Sequence, residues 1–160
     1  MTQTWLIVGA GGLACGAARV LQSAFPSGST RPRFVVVDDD VVDATNLHRQ
    51  TLYTASDIGA SKAVLAARAL GGEARQVRFL PSNAASLLEG VDLVIEGADN
   101  YATKFLVADA CALAGIACIH AGAVGWNGWV FGSRGHGAGQ PWLRCGFEDV
   151  PSGPTQTLSL

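Results

Sequence analysis

Gly9-Ala10-Gly11-Gly12-Leu13-Ala14 fits the spacing G-x-G-x-x-G/A, with alanine at the third position. In this pattern the first glycine permits a tight turn and the second lets a phosphate approach the backbone. The third, small residue allows close helix–strand packing. A helix opening at such a turn presents free N–H groups and the positive end of its dipole to an anion. Two further polar groups stand at the ends of apolar runs: the acids Asp38-Asp39-Asp40, and Asp99-Asn100. Asp38 falls where an acid commonly bonds ribose hydroxyls in units of this kind. The chemistry these residues suit is nucleotide binding. Two readings are open at this point: an NAD-dependent dehydrogenase, or a nucleotide-binding fold serving ATP. The plain alternative is an ordinary glycine turn between a strand and a helix.

These groups need a scaffold, and the apolar pattern supplies one. Thr4–Val8 and Phe34–Val37 are short apolar runs that predict buried strands. Val91–Ile95 and Ile116–His120 predict two more, and Gln76–Leu80 alternates as a further strand would. Helices are predicted over 12–24, 59–70, 82–89 and 101–114, with Pro26–Ser29 and Gly71-Gly72 as stops. Strand and helix alternate, so the fold class is α/β: a Rossmann-like, doubly wound and largely parallel sheet. Ligands bind beyond the carboxyl ends of such strands, where the glycines and acids sit. After Ala121 the pattern changes. Residues 126–133 and 142–147 predict an antiparallel pair across a glycine-rich turn, a short C-terminal extension. The chain is read as a single domain, with a core over about 1–121 and a Gly-rich extension over 122–160.

The 160 residues carry 11 basic and 13 acidic side chains, a formal charge of −2. That balance gives no support to binding nucleic acid through bulk charge. No apolar run reaches the roughly 18 residues of a membrane span. Met1–Thr4 lacks the basic start of a secretion signal, so a cytoplasmic protein is expected. The cysteines at 15, 111, 118 and 145 show no C-x-x-C spacing, and disulfides are not expected. His48, His120 and His136 share no ligand spacing and are read as structural or exposed.

The segment Asp38-Asp39-Asp40-Val41-Val42-Asp43-Ala44-Thr45-Asn46-Leu47-His48-Arg49-Gln50 resembles the D-x-D-x-V-x-x-S-N-L-x-R-Q block of the ThiF/MoeB/HesA family, bacterial relatives of ubiquitin-activating enzymes. Asp57-Ile58-Gly59-Ala60-Ser61-Lys62-Ala63 resembles that family's D-I-G-x-x-K-A. Ala98-Asp99-Asn100 with Thr103 resembles its T-D-N-x-x-T-R. The blocks stand in the family's order and span most of residues 4 to about 132. The resemblance implies ATP-dependent adenylation of a carboxylate, usually the C-terminal Gly-Gly of a ubiquitin-like sulfur-carrier protein, with release of pyrophosphate. A precursor peptide is the carboxylate donor in some relatives. A dehydratase acting on modified tRNA is a further family activity, against which the acidic balance counts.

By that resemblance, Arg49, Lys62 and Asp99 form the catalytic set. Gly9, Gly11, Gly12, Asp38, Asp40, Asn46, Gln50 and Asn100 complete the ATP site. Arg49 offers a planar fork for phosphate oxygens, and Lys62 offers a point charge. Asp99 is a hard oxygen ligand for Mg²⁺. Each has a plainer reading. Arg49 could pair with Asp40 or Asp43, Lys62 could be a solvated residue near a helix start, and Asp99 could be an N-cap.

The sequence also departs from the family. Lys104 stands where arginine is common, which keeps the charge and loses the fork. Trp142 occupies the first cysteine of the family's P-C-x-x-C half-site, so no zinc site is expected, and Cys145 is read as a buried remnant. Cys111 and Cys118 are read as core, and Cys15 as packing in the first helix. Relatives carry an arginine before the first strand that reaches a partner subunit's ATP, and more sheet beyond residue 160. A homodimer or heterodimer is the corresponding expectation, and Trp126 and Trp129 suit an interface or the core equally. Three functions therefore remain: an adenylyltransferase, a non-catalytic member of the same family that binds ATP or a partner, and an NAD-dependent oxidoreductase.

Overall fold

β-Branched and aromatic residues dominate Phe34–Val37, and alternate side chains of that run must enter opposite layers. The computed structural model, which describes residues 2–26, 30–135 and 140–147, shows this division throughout the sheet. Strands β1 (Thr4–Val8), β2 (Arg33–Val37), β3 (Glu73–Arg75), β4 (Leu93–Glu96), β5 (Ala117–Val124) and β6 (Asn127–Ser133) form one sheet in the order β3-β2-β1-β4-β5-β6. The first five run parallel, and β6 is antiparallel to β5.

Helices α1 (Gly12–Ala24) and α2 (Lys62–Leu70) cover one face. There Ile7, Phe34 and Val36 pack on Ala14, Ala18, Ala63, Ala66, Ala67 and Leu70. Helices α3 (Ala84–Leu88) and α4 (Tyr101–Ala114) cover the other. Leu6, Val8, Val35, Val37, Val94 and Cys118 meet Leu88, Val107 and Cys111 on that side. Each such Val or Leu contributes about 1.5–3 kcal/mol by leaving water. Alanines on α1 and α2 let the helix backbones approach the sheet closely.

Three expectations are corrected. The third strand is Glu73–Arg75 rather than 76–80. Gly72 lies so close to β2 that a Cβ there would fall 2.5 Å from the Phe34 carbonyl oxygen, so the chain enters the sheet at once. An Arg33–Glu73 ion pair crosses the same two strands. The alternation beyond serves one residue, Phe79, which plugs the core while Val77 stays exposed. The second correction concerns the antiparallel pair. Residues 127–133 pair with β5, which runs past His120 to Val124 and turns at Gly125, φ +59°. Closing a tight hairpin costs less chain entropy than pairing across the glycine-rich segment. Residues 142–147 instead hold a single helical turn, α5 (Leu143–Gly146), whose Arg144 grips Asp109 on α4 at 2.8 and 2.7 Å. Thirdly, α2 begins at Lys62, where Ser61 caps it, and not at Gly59.

The order 3-2-1-4 puts a topological switch between β1 and β4. The connection after β1 leads toward β2, and the chain returns to β4 on the other side. Crevices form at such a point, beyond the carboxyl ends of the strands.

Candidate nucleotide site at the switch point

The glycine turn is shaped by close backbone packing. Gly9 adopts φ +87°, a conformation that L side chains avoid, and a Cβ there would lie 3.0 Å from the Ala98 nitrogen. The loops after β1 and β4 therefore touch, and Asp99 and Asn100 are brought beside the glycines. The N-terminus of α1 is open. Gly11 is the N-cap, it brings no side-chain hydrogen bond, and the first turn holds no acid. That leaves the dipole and amide hydrogens available to an anion.

Asp38, at the end of β2, accepts a hydrogen bond from the Ala10 N–H at 2.6 Å and another from the Asp40 N–H at 2.8 Å. Its carboxylate thus holds the glycine turn as well as facing the crevice. Burial pushes its pKa up, and the two backbone donors oppose that shift. Asp40 is mostly exposed and binds the buried Lys62 Nζ at 2.8 Å. Lys62 is only 4% exposed, so the reading of a solvated lysine is overturned. Its side chain is buried along its length, and Asp40 holds the ammonium.

Arg49 does not pair with Asp40 or Asp43. It is exposed, donates to Asn46 Oδ1 at 2.5 Å and lies 3.2 Å from His48 Nε2. Its backbone lies over Gly12, where a Cβ would come within 3.4 Å of the Arg49 carbonyl oxygen. Gln50 is buried, and its Oε1 has no hydrogen-bond partner. Its Nε2 would be 3.8 Å from a Cβ on Gly11. The helix cap falls to Asn100, whose Oδ1 accepts from the Thr103 N–H at 2.8 Å. Asp99 is thereby released from the capping role and remains exposed at the loop.

Every candidate residue thus lies on the loops beyond β1, β2 and β4, or on the segment from Asp40 to Lys62 that crosses above them. An uncapped helix N-terminus and the two cations Arg49 and Lys62 are features that suit an anion, whereas the unpartnered Gln50 Oε1 is an acceptor and calls for a donor such as a hydroxyl or an amine. The acids offer oxygen donors alone, the type a hard divalent cation takes.

Sequence reasoning missed Tyr53 and Glu96, and noted Lys104 and His120 without placing them. Tyr53 is buried and donates to the Ala10 carbonyl oxygen at 2.6 Å, tying the irregular segment to the glycine turn. Burial holds its phenol protonated well above the ordinary range. Nothing in the sequence around Tyr53 signals this. Glu96, Lys104 and His120 form a buried group beneath the β4–α4 loop. An acid closing an otherwise apolar strand was a signal for Glu96. His120, left between structural and exposed, is fully buried. His136 lies outside the described residues.

The cysteines divide differently from expectation at one position. Cys15 is buried against Val42 and Tyr53, and burial raises its thiol pKa, so it packs rather than reacts. Cys111 and Cys118 belong to the core, and contact with Cys111 together with burial pushes the Cys118 thiol up. Cys145 is exposed rather than buried, because α5 turns Leu143 inward instead. Trp126 is fully exposed at the hairpin tip, whereas Trp129 packs over Gly122. Among the described residues, no helix is long and apolar enough to cross a membrane.

Several known proteins resemble this chain over most of its length. The adenylyltransferase and sulfurtransferase MOCS3 of Xenopus laevis is 34% identical over 161 residues, covering 96% of this chain and 34% of the relative. A sulfur carrier protein adenylyltransferase of Thermus thermophilus is 36% identical over 156 residues, covering 91% of this chain and 56% of the relative. A SAMP-activating enzyme E1 of Haloferax volcanii is 34% identical over 153 residues, covering 91% and 54%. The chain therefore spans between 34% and 56% of the length of these relatives. The match to the ThiF family runs over residues 1–159 and takes in the glycine turn, the Asp38–Gln50 segment, Lys62 and the Asp99 loop alike, so the chain belongs to the ThiF family.

Proposed function

We propose that this chain, as one nucleotide-binding domain, binds ATP and adenylates the C-terminal carboxylate of a ubiquitin-like sulfur-carrier protein or a precursor peptide. The observation that carries the reading is the buried Lys62, whose ammonium is held by Asp40 at 2.8 Å in a chain whose α1 N-terminus carries no capping side chain. A hydride-transfer site has no use for that lysine or for Arg49. Relatives described as adenylyltransferases of sulfur carriers support the same reading.

In this reading a carboxylate oxygen attacks the α-phosphorus of ATP, the bond from that phosphorus to the bridging oxygen breaks, and pyrophosphate leaves. An acyl adenylate is the product. Gly9, Gly11 and Gly12 let the phosphates approach the backbone, and the α1 N-terminus, Arg49 and Lys62 neutralise them. Gln50, Asn46 and Asn100 supply neutral hydrogen-bonding groups around the crevice. Asp38 receives ribose hydroxyls without giving up its bonds to the Ala10 and Asp40 amides, since each carboxylate oxygen has a second lone pair. Asp40 orients Lys62. Mg²⁺ held by Asp99 would neutralise charge on the phosphates. A dimer, with the partner contributing to the site, and a cytoplasmic location complete the proposal.

Pyrophosphate exchange into ATP, in the presence of a carrier ending in Gly-Gly, tests it. Exchange that Asp99→Ala abolishes is the expected result. ATP binding without exchange would make the chain a binding module, and binding of NAD in place of ATP would overturn the reading.

A further inference from the structure

The loop that carries Asp99 and Asn100 is anchored from below by charges that solvent barely reaches. Glu96 and His120 are fully buried, and Lys104 nearly so. Glu96 Oε1 accepts from the Ala98 N–H at 2.6 Å and from Lys104 Nζ at 3.1 Å. Glu96 Oε2 lies 3.3 Å from both Lys104 Nζ and His120 Nδ1. Lys104 also donates to the Ala121 carbonyl oxygen on β5, and its ammonium stands 5.3 Å from the centre of the Trp129 ring. Three elements, β4, α4 and β5, thus converge on one carboxylate.

Replacing buried charges by well-packed apolar residues is often neutral or stabilising, so stability alone does not account for their placement. The account lies in what Glu96 holds. The Gly97 N–H bonds to the Val8 carbonyl oxygen and so still belongs to the sheet. Ala98 is the first residue beyond it, and its N–H is taken by Glu96. Ala98 is also the backbone against which Gly9 packs, and it immediately precedes Asp99. One side chain therefore holds the loop at the residue that packs on the glycine turn and directly precedes Asp99.

We propose that Glu96, itself held by Lys104 and His120, is a positioning residue that sets the β4–α4 loop and with it the place of Asp99 for the metal-bound nucleotide. The inference rests on the ATP reading for its functional half and on the fold alone for its structural half. Two variants test it. Glu96→Gln keeps the shape and one acceptor but leaves Lys104 uncompensated. Glu96→Leu combined with Lys104→Met removes the buried charge pair together, which favours folding, and also removes the acceptor for Ala98.

Amide hydrogen exchange in the nucleotide-free protein is the first readout, and calorimetric affinity for ATP with and without Mg²⁺ is the second. In the double variant, exchange at the Ala98 amide is expected to rise at least tenfold while Leu6 and Val94 in the sheet stay protected. Affinity for ATP with Mg²⁺ should fall at least tenfold, with metal-free affinity within twofold of wild type. Unchanged protection at the Ala98 amide in the folded double variant would overturn the proposal. Equal losses of affinity with and without the metal would do the same, because a merely structural role moves both. If Glu96→Gln does not fold, the double variant decides alone. Should the wild-type protein bind no ATP under either condition, the adenylation reading fails, and the exchange measurement still judges the anchoring.

Discussion

Two glycine-to-alanine substitutions, seven residues apart in sequence, should move stability in opposite directions. At Gly9 the new Cβ meets the Ala98 nitrogen at 3.0 Å and the Gly97 carbonyl carbon at 3.1 Å. Both are backbone atoms that cannot swing away. The φ of +87° adds about 1–2 kcal/mol for an L residue. Overpacking adds roughly 1–3 kcal/mol. The expected loss is about 2–5 kcal/mol, a large part of the roughly 5–15 kcal/mol that holds a domain together. Gly16, inside α1, has nothing within 4 Å of its added Cβ. Alanine there should gain about 0.5–1 kcal/mol from helix propensity and reduced chain entropy. Urea unfolding followed by tryptophan fluorescence measures both, and calorimetry with ATP follows the site. Gly9→Ala should also abolish ATP binding in whatever fraction remains folded, because the turn must open to relieve the clash. A Gly9→Ala protein within about 0.5 kcal/mol of wild type would refute the contact between the two loops.

Lys62→Met should leave stability within about 1 kcal/mol, since methionine fills the buried stem's space and Asp40 is already mostly solvated. ATP affinity should fall roughly 10–100-fold, as expected for losing a charge-assisted hydrogen bond, and calorimetry reads it. Tyr53→Phe should cost about 1–3 kcal/mol in urea unfolding, because the Ala10 carbonyl oxygen loses its 2.6 Å donor inside the fold. Carboxyl titration by NMR should separate Asp38, above the ordinary value of 3.8, from Asp57, below it. The signs of their linkage to stability are opposite. The Asp38 contribution is present below pH 3.8 and is lost as pH rises through its folded pKa. The Asp57 contribution, from hydrogen bonds donated by Thr54, is present above pH 3.8 and is lost as pH falls through its folded pKa. Coincident titration of the two groups would contradict the burial of Asp38.

What the sequence determined alone is the part of the protein written in local patterns. Val8 to Ala14 announces a strand, a glycine turn and a helix because the steric demands of that turn involve adjacent residues. The alternating helices and strands place Asp38 and Asp99 at strand ends, since a parallel sheet puts every carboxyl end on one side. Tertiary structure decided what depends on partners distant in the chain. Gln76–Leu80 carries a strand's alternation, yet Gly72 packing against Phe34 puts the pairing at Glu73–Arg75. Ile119 and Val130 are similar in character to many core residues, yet both are exposed on the β5–β6 pair. Lys62 is legible as a phosphate-binding lysine only through the family block, and it is the fold that buries its side chain and sets its ammonium 2.8 Å from Asp40. Glu96, Lys104 and His120 are separated by as many as 24 residues and meet because β4, α4 and β5 pack together. Short-range sterics and periodicity can be read along a chain, whereas the desolvation and pairing of a charge depend on elements that meet only in the folded state.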